Sequence, residues 1–176
     1  MKGPLERAFS FATESEMAEV MDMVLARRLK FNQITSKREF RCPLGVPDFL
    51  LFRECAKTIA YVTVLELKLK NWRKGLYQAF KYRSYANSAY VALDAYHIKD
   101  ALNNISLFEK FNIGLASIDL EGIFTVYAEP ISDLPFSSYH ASLLMSSLNK
   151  NMSDDLRSRF HRSQVGAIGL KTLESQ

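Results

Sequence analysis

The chain has 176 residues, 48% hydrophobic and 24% charged, with 23 basic against 19 acidic side chains for a formal net charge of +4. This composition excludes a disordered or fibrous chain and suits one domain, or one domain with a short appendage. Two cysteines, Cys42 and Cys55, are too few for a disulfide framework and have no His or Cys neighbours in sequence to make a zinc site.

The opening "MKGPLERAFSFATESE" has no apolar run of signal-peptide length. No window approaches the roughly 20 apolar residues of a membrane span. The expectation is a soluble, cytoplasmic protein without a membrane partner. A sequence pI near 9.0 permits a polyanionic partner without requiring one.

Thr13 precedes acidic Glu14 and Glu16, and Met17, Val20, Met21, Val24 and Leu25 recur at helical spacing. With Arg27, Arg28 and Lys30 at the far end, this predicts a helix opened by a capping box and matched to its dipole. "KREFRCPLG" and "GVPDFLLF" read as short extended segments, "RECAKT" as a turn, and "IAYVTVLELKLK" as a longer strand: a three-stranded meander. A second helix is expected over 73–86, then a buried strand in "SAYVALD" that lies parallel to a neighbour because a helix precedes it. A third helix is expected over 98–111, then a hairpin in "IGLASIDLEGIFTVYAEP" turning at Asp119–Gly122. Beyond Leu134 the composition becomes polar; Tyr139–Leu148 suits a helix, Ser153 suits another N-cap, and "SQVGAIGLKTLESQ" reads as a frayed tail.

The long strand raises the functional question. Side chains alternate across a strand, so Thr63, Leu65, Leu67 and Leu69 share a core face while Val62, Val64, Glu66, Lys68 and Lys70 share the other. Taken alone, Glu66 and Lys68 read as a surface ion pair worth at most about 1 kcal/mol. Asp48 changes that reading. A hairpin turning near Cys55 and Ala56 brings it opposite residues 63–66, and two carboxylates facing each other call for a cation. Gln78 and Tyr82 lie one turn apart on the following helix, which can fold back over this charged end.

Pro47–Asp48, then Glu66-Leu67-Lys68, then "NWRKGLYQAFKY" with its Gln-x-x-x-Tyr, then "YVAL", resemble the PD-(D/E)XK nuclease superfamily. The superfamily includes type II restriction enzymes, junction resolvases and repair nucleases. The resemblance spans roughly Glu14 to Leu93, and nothing after about Ser132 matches it. It implies an α/β fold, the restriction-endonuclease-like αβββαβ core with a mixed central sheet flanked by helices. A C-terminal hairpin and a helical extension would be added to that core. The boundaries expected are a nuclease-like domain over residues 1–133 and an extension over 134–176.

The activity so implied is Mg2+-dependent phosphodiester hydrolysis, with Mn2+ able to substitute. DNA is favoured over RNA and internal cutting over end trimming, and a homodimer is compatible. Magnesium needs only one or two protein carboxylates because it keeps several waters. Asp48 and Glu66 fill that role, and the resemblance adds the backbone carbonyl of Leu67. Lys68 then serves either to position water and neutralise the transition state or, with a lowered pKa, as general base; the electrostatic role needs no such shift.

Gln78 would bond a ligand carboxylate, the water or the scissile phosphate. Tyr82 would buttress Gln78, meet a neighbouring phosphate or pack in the core. Members of the superfamily often add an acid from the first helix. Here Glu19, beside the apolar stripe, is preferred over Glu16, with Glu14 as a capping charge. Lys70, Arg73, Lys74, Lys81 and Arg83, interleaved with Trp72, Tyr77 and Tyr85, make a candidate phosphate-binding patch. His97, His140 and His161 have no catalytic or metal-ligand spacing. The alternative reading is a nucleic-acid-binding or interaction module of the same fold without turnover.

Overall fold

Thr13 does open a helix. Its hydroxyl accepts from the Glu16 amide at 3.1 Å while the Glu16 carboxylate accepts from the Ala12 amide at 2.7 Å. This near-capping box leaves two fewer orphan donors at the start of α1 (Glu14–Leu29). The structure is a computed structural model describing residues 9–29, 34–55 and 58–150. Along it follow β1 (Ile34–Arg38), β2 (Phe49–Cys55), β3 (Thr58–Lys68), α2 (Trp72–Tyr82) and β4 (Ser88–Asp94). After a 3-10 turn at Ala95–His97 come α3 (Lys99–Leu102), α4 (Ile105–Lys110), β5 (Gly114–Ile118), β6 (Phe124–Ala128) and a helix α5 over residues 138–150.

The six strands form one mixed sheet in the order β1-β2-β3-β4-β5-β6. The three-stranded meander is there, antiparallel, and β4 runs parallel to β3 as its buried, two-sided composition required. β5 continues the parallel run, and β5–β6 is the expected antiparallel hairpin. Asp119 shapes its turn, accepting from the Glu121 and Ile123 amides.

Each sheet face carries a core. On one, Met17, Met21, Val24 and Leu25 of α1 pack with Phe49, Leu65, Leu67 and Ile118. On the other, Trp72, Leu76, Ala79 and Tyr82 of α2 pack with Leu50, Val62, Val64, Val91 and Leu93. Each fully buried aliphatic side chain contributes about 1.5–3 kcal/mol. Leu144 and Leu148 of α5 join this second core. Gly75 lets α2 approach closely: a Cβ there would lie 2.7 Å from Val91 and 3.1 Å from the Lys68 stem. Close approach at that point covers the charged end of β3.

Several elements differ from expectation. The first strand is "ITSKR", not the stretch through Gly45, because residues 39–45 turn: Glu39 and Gly45 have positive φ and Cys42 and Gly45 exchange backbone hydrogen bonds. α2 covers Trp72–Tyr82, capped by the Asn71 side chain, rather than 73–86. The expected helix over 98–111 is broken into the 3-10 turn, α3 and α4, with Asn103 and Asn104 at the break and Asn104 bonding back to the Asp100 carbonyl. The helix expected at Ser153 and the C-terminal tail lie outside the described residues. No helix among the described residues is long and apolar enough to cross a membrane.

Candidate metal centre

The alternation along β3 brings Glu66 and Lys68 to its C-terminal end, and both are buried, at 2% and 6% exposure. A surface ion pair is therefore not what these residues form. The β2–β3 register pairs Phe49 with Leu65, so the next step outward sets Asp48 opposite Glu66. Asp48 accepts from the Leu67 amide at 2.6 Å, which ties the start of β2 to the end of β3. Lys68 Nζ donates to Glu66 Oε1 at 2.7 Å and to the Leu67 carbonyl at 2.7 Å. Its ammonium thus bridges a carboxylate oxygen and a backbone carbonyl oxygen.

The charges are not balanced by this bond alone. Burial pushes the Glu66 carboxyl up to about 7, and the Asp48 charge adds to it against the pull of Lys68. Burial also raises Asp48, opposed by the Leu67 amide and Lys68. For Lys68, burial lowers the pKa, but the hydrogen bond and charge of Glu66, with Glu14 and Asp48, outweigh it and raise the net value. A general base would need the opposite direction.

Two acceptors are left over. Glu66 Oε2 and Gln78 Oε1 are buried without a hydrogen-bond partner, on β3 and the helix that covers it. Buried acceptors in this state cost about 1–3 kcal/mol each unless a donor or cation serves them. Oxygen-only donors of this kind suit a hard divalent cation. Among the described residues no three His, Cys, Asp or Glu side chains gather as a ready-made metal cluster. A Mg2+ ion that keeps several waters does not need one.

Tyr82 is buried, so it does not join a phosphate-binding surface. It lies beside Gln78, whose polarity acts on its hydroxyl, and donates weakly to the Val46 carbonyl at 3.4 Å. Burial, with the Glu66 charge, pushes its hydroxyl up to about 12, so it stays a donor.

The α1 acid at the site is Glu14, not Glu19 or Glu16. Glu14 Oε2 lies 3.6 Å from Lys68 Nζ, Glu16 caps the helix, and Glu19 is exposed on the flank. Helical phase explains this: Glu14 precedes Met17, Ala18 and Met21 on the buried stripe, and Glu19 is out of register with it. Asp94, which sequence reasoning passed over, fixes the approach of α1. Buried at the end of β4, it accepts from Ser10 Oγ at 2.6 Å and from the Phe11 amide at 3.0 Å.

The expected basic patch divides. Lys70, Arg73 and Lys74 are exposed, with Arg73 stacked 4.2 Å from the Trp72 ring centroid. Lys81 is half-buried over the Tyr82 ring, and Tyr77 is 69% exposed. Arg83, Tyr85 and Trp72 are buried and leave the patch; Arg83 bonds the Ala86 carbonyl and packs on the Phe136 ring. His97 lies 3.4 Å from Ser10 Oγ, His140 sits beside Tyr139 in α5, and His161 is outside the described residues.

No family model matches the chain, and no curated protein matches it. A solved structure of a protein of unknown function from Silicibacter pomeroyi is similar in fold. It is 14% identical with a TM-score of 0.56, and the match covers 83% of this chain and 92% of that one. At this identity the likeness shows the fold alone, an α/β fold with a six-stranded mixed sheet and flanking helices.

Proposed function

We propose that the chain is a Mg2+-dependent nuclease of the restriction-endonuclease-like fold, cutting DNA internally by phosphodiester hydrolysis. One observation carries this reading. A buried Glu66 with an unpartnered oxygen faces Asp48 across a hairpin, and the Lys68 ammonium bridges Glu66 and the Leu67 carbonyl. Asp48, Glu66 and the Leu67 carbonyl would hold the metal, with Mn2+ able to replace Mg2+. The bound ion supplies Lewis-acid stabilisation of the phosphoryl group and a water of lowered pKa.

Every other task falls to the chain. Lys68, with Glu14 as a counter-ion 3.6 Å away in the metal-free chain, would offer its charge to the phosphoryl oxygens. The raised pKa of Lys68 suits that electrostatic role. Gln78 Oε1 would orient a water or a ligand proton, with Tyr82 packed beside it. Lys70, Arg73, Lys74 and Lys81 flank the site and neutralise backbone phosphates.

A cleavage panel of single-stranded, duplex, flap and junction DNA and RNA, with and without Mg2+ or Mn2+, tests the reading. DNA should be cut only with metal, and Glu66→Ala should abolish the cutting while the protein stays folded by circular dichroism. Equal cleavage by Glu66→Ala would remove the assignment. DNA binding without cutting by the wild type would favour the module without turnover.

A further inference from the structure

A cleft of about 930 Å3 opens beside the candidate centre, between the residues around β1's end and α5. Four basic side chains line it, Lys37, Arg38, Arg41 and Lys150, against one carboxylate, Glu39. Its wall is tied to the site: the Glu39 amide donates to the Asp48 carbonyl at 3.0 Å. A Cβ on Gly45, in the same turn, would come within contact of the Tyr82 ring and of Lys81 Nζ.

The geometry points to this cleft as the track for a nucleic-acid backbone on one flank of the cleavage site, an inference that rests on the nuclease reading. Its volume is near the upper end of small-ligand pockets, and the polar part of its lining carries four cations against a single carboxylate. The Phe40 ring, half-buried against the core with Lys37 5.9 Å over its face, positions that cation at the cleft. Cations set along an open cleft suit a phosphate backbone. Arg38 is held by Asp22 at 3.2 Å, so Lys37 and Arg41 are the principal phosphate contacts on the β1 side, and Lys150 adds its charge from α5. The Ser146 and Ser147 hydroxyls donate to carbonyls of their own helix, so side-chain charge is the main source of attraction.

The test is fluorescence anisotropy on a short labelled DNA strand and on its duplex, in EDTA, across a salt series. The triple variant Lys37→Ala, Arg41→Ala and Lys150→Ala should lower the slope of log affinity against log salt by about 2 and weaken low-salt binding at least roughly tenfold. Arg41→Glu, a single exposed substitution that spares the core, should weaken binding in the same sense. A wild-type slope in both variants overturns the inference, as does a wild type that binds neither DNA. The two readings separate cleanly. Binding lost only in the cleft variants, with no strand cut in Mg2+, leaves the cleft standing and removes the nuclease. Metal-dependent cutting with unaltered cleft-variant binding does the reverse.

Discussion

Glu66→Gln is expected to make the metal-free protein more stable at neutral pH and to flatten its pH dependence between about pH 4.5 and pH 7. Burial and the neighbouring Asp48 raise the Glu66 pKa from 4.5 to about 7, so in that window the folded chain binds a proton that the unfolded chain has released. Stability therefore falls as pH rises from the unfolded value through the folded one, then levels off. The full loss is about 3 kcal/mol, and the group is buried enough that solvent screening takes little of it. Asp48, also raised, acts in the same sense. Lys68 does not oppose it, because its raised pKa places its own loss above the ordinary lysine range. Glutamine keeps an oxygen for Lys68 Nζ and removes the titration. Urea unfolding in EDTA at about pH 5 and about pH 7.5 measures the difference; an equally steep loss in Glu66→Gln would assign the titration to another group.

Lys68→Ala is expected to lower turnover by about 10²–10³, the usual cost of removing a group aimed at transition-state charge, while metal binding persists. The substitution frees Glu66 Oε1 and the Leu67 carbonyl, the two oxygens the ammonium now occupies. It also leaves Asp48 and Glu66 facing each other without their cation, which pushes Glu66 further up, so Mg2+ should bind the variant better at higher pH. Single-turnover cleavage beside a calorimetric Mg2+ titration separates these effects. Turnover within a few-fold of wild type would remove Lys68 from the chemistry, and loss of metal binding would make it a structural prop for the site.

The heart of the site is legible in sequence because strand geometry is local and exact in period. Alternation sorts Glu66 and Lys68 from Leu65 and Leu67, and a hairpin turning near Cys55 brings Asp48 opposite residues 63–66 by counting; the register shift at Arg53 and Glu54 helps to set it at Glu66. The buried, two-sided "SAYVALD" forces a parallel neighbour in the same way. β1 departs from expectation for a related reason: "ITSKR" is a half-exposed edge strand with little apolar signal, while the following segment is apolar enough to suggest a strand but turns at Glu39 and Gly45.

What stayed hidden depends on contacts distant in sequence. Glu14 looks like a dipole charge until the stripe of Met17 and Met21 is phased, and only the fold shows Lys68 beside it. Asp94 reads as the end of a strand, yet it holds Ser10 and Phe11 from 84 and 83 residues away. Arg83 resembles its exposed neighbours in α2, but it falls just past the helix end and is buried under the segment carrying Phe136. The basic cleft joins residues near 40 to residues near 147, and no local pattern announces it.

Calorimetric titration of Mn2+ into the wild type and into the Asp48→Asn, Glu66→Gln double variant reads most directly whether Asp48, Glu66 and the Leu67 carbonyl hold a divalent cation. The wild type should bind one cation per chain, with proton release near pH 7 as Glu66 ionises, and the double variant should bind none. A wild type without saturable binding, or a variant that binds as well as the wild type, would contradict the metal centre.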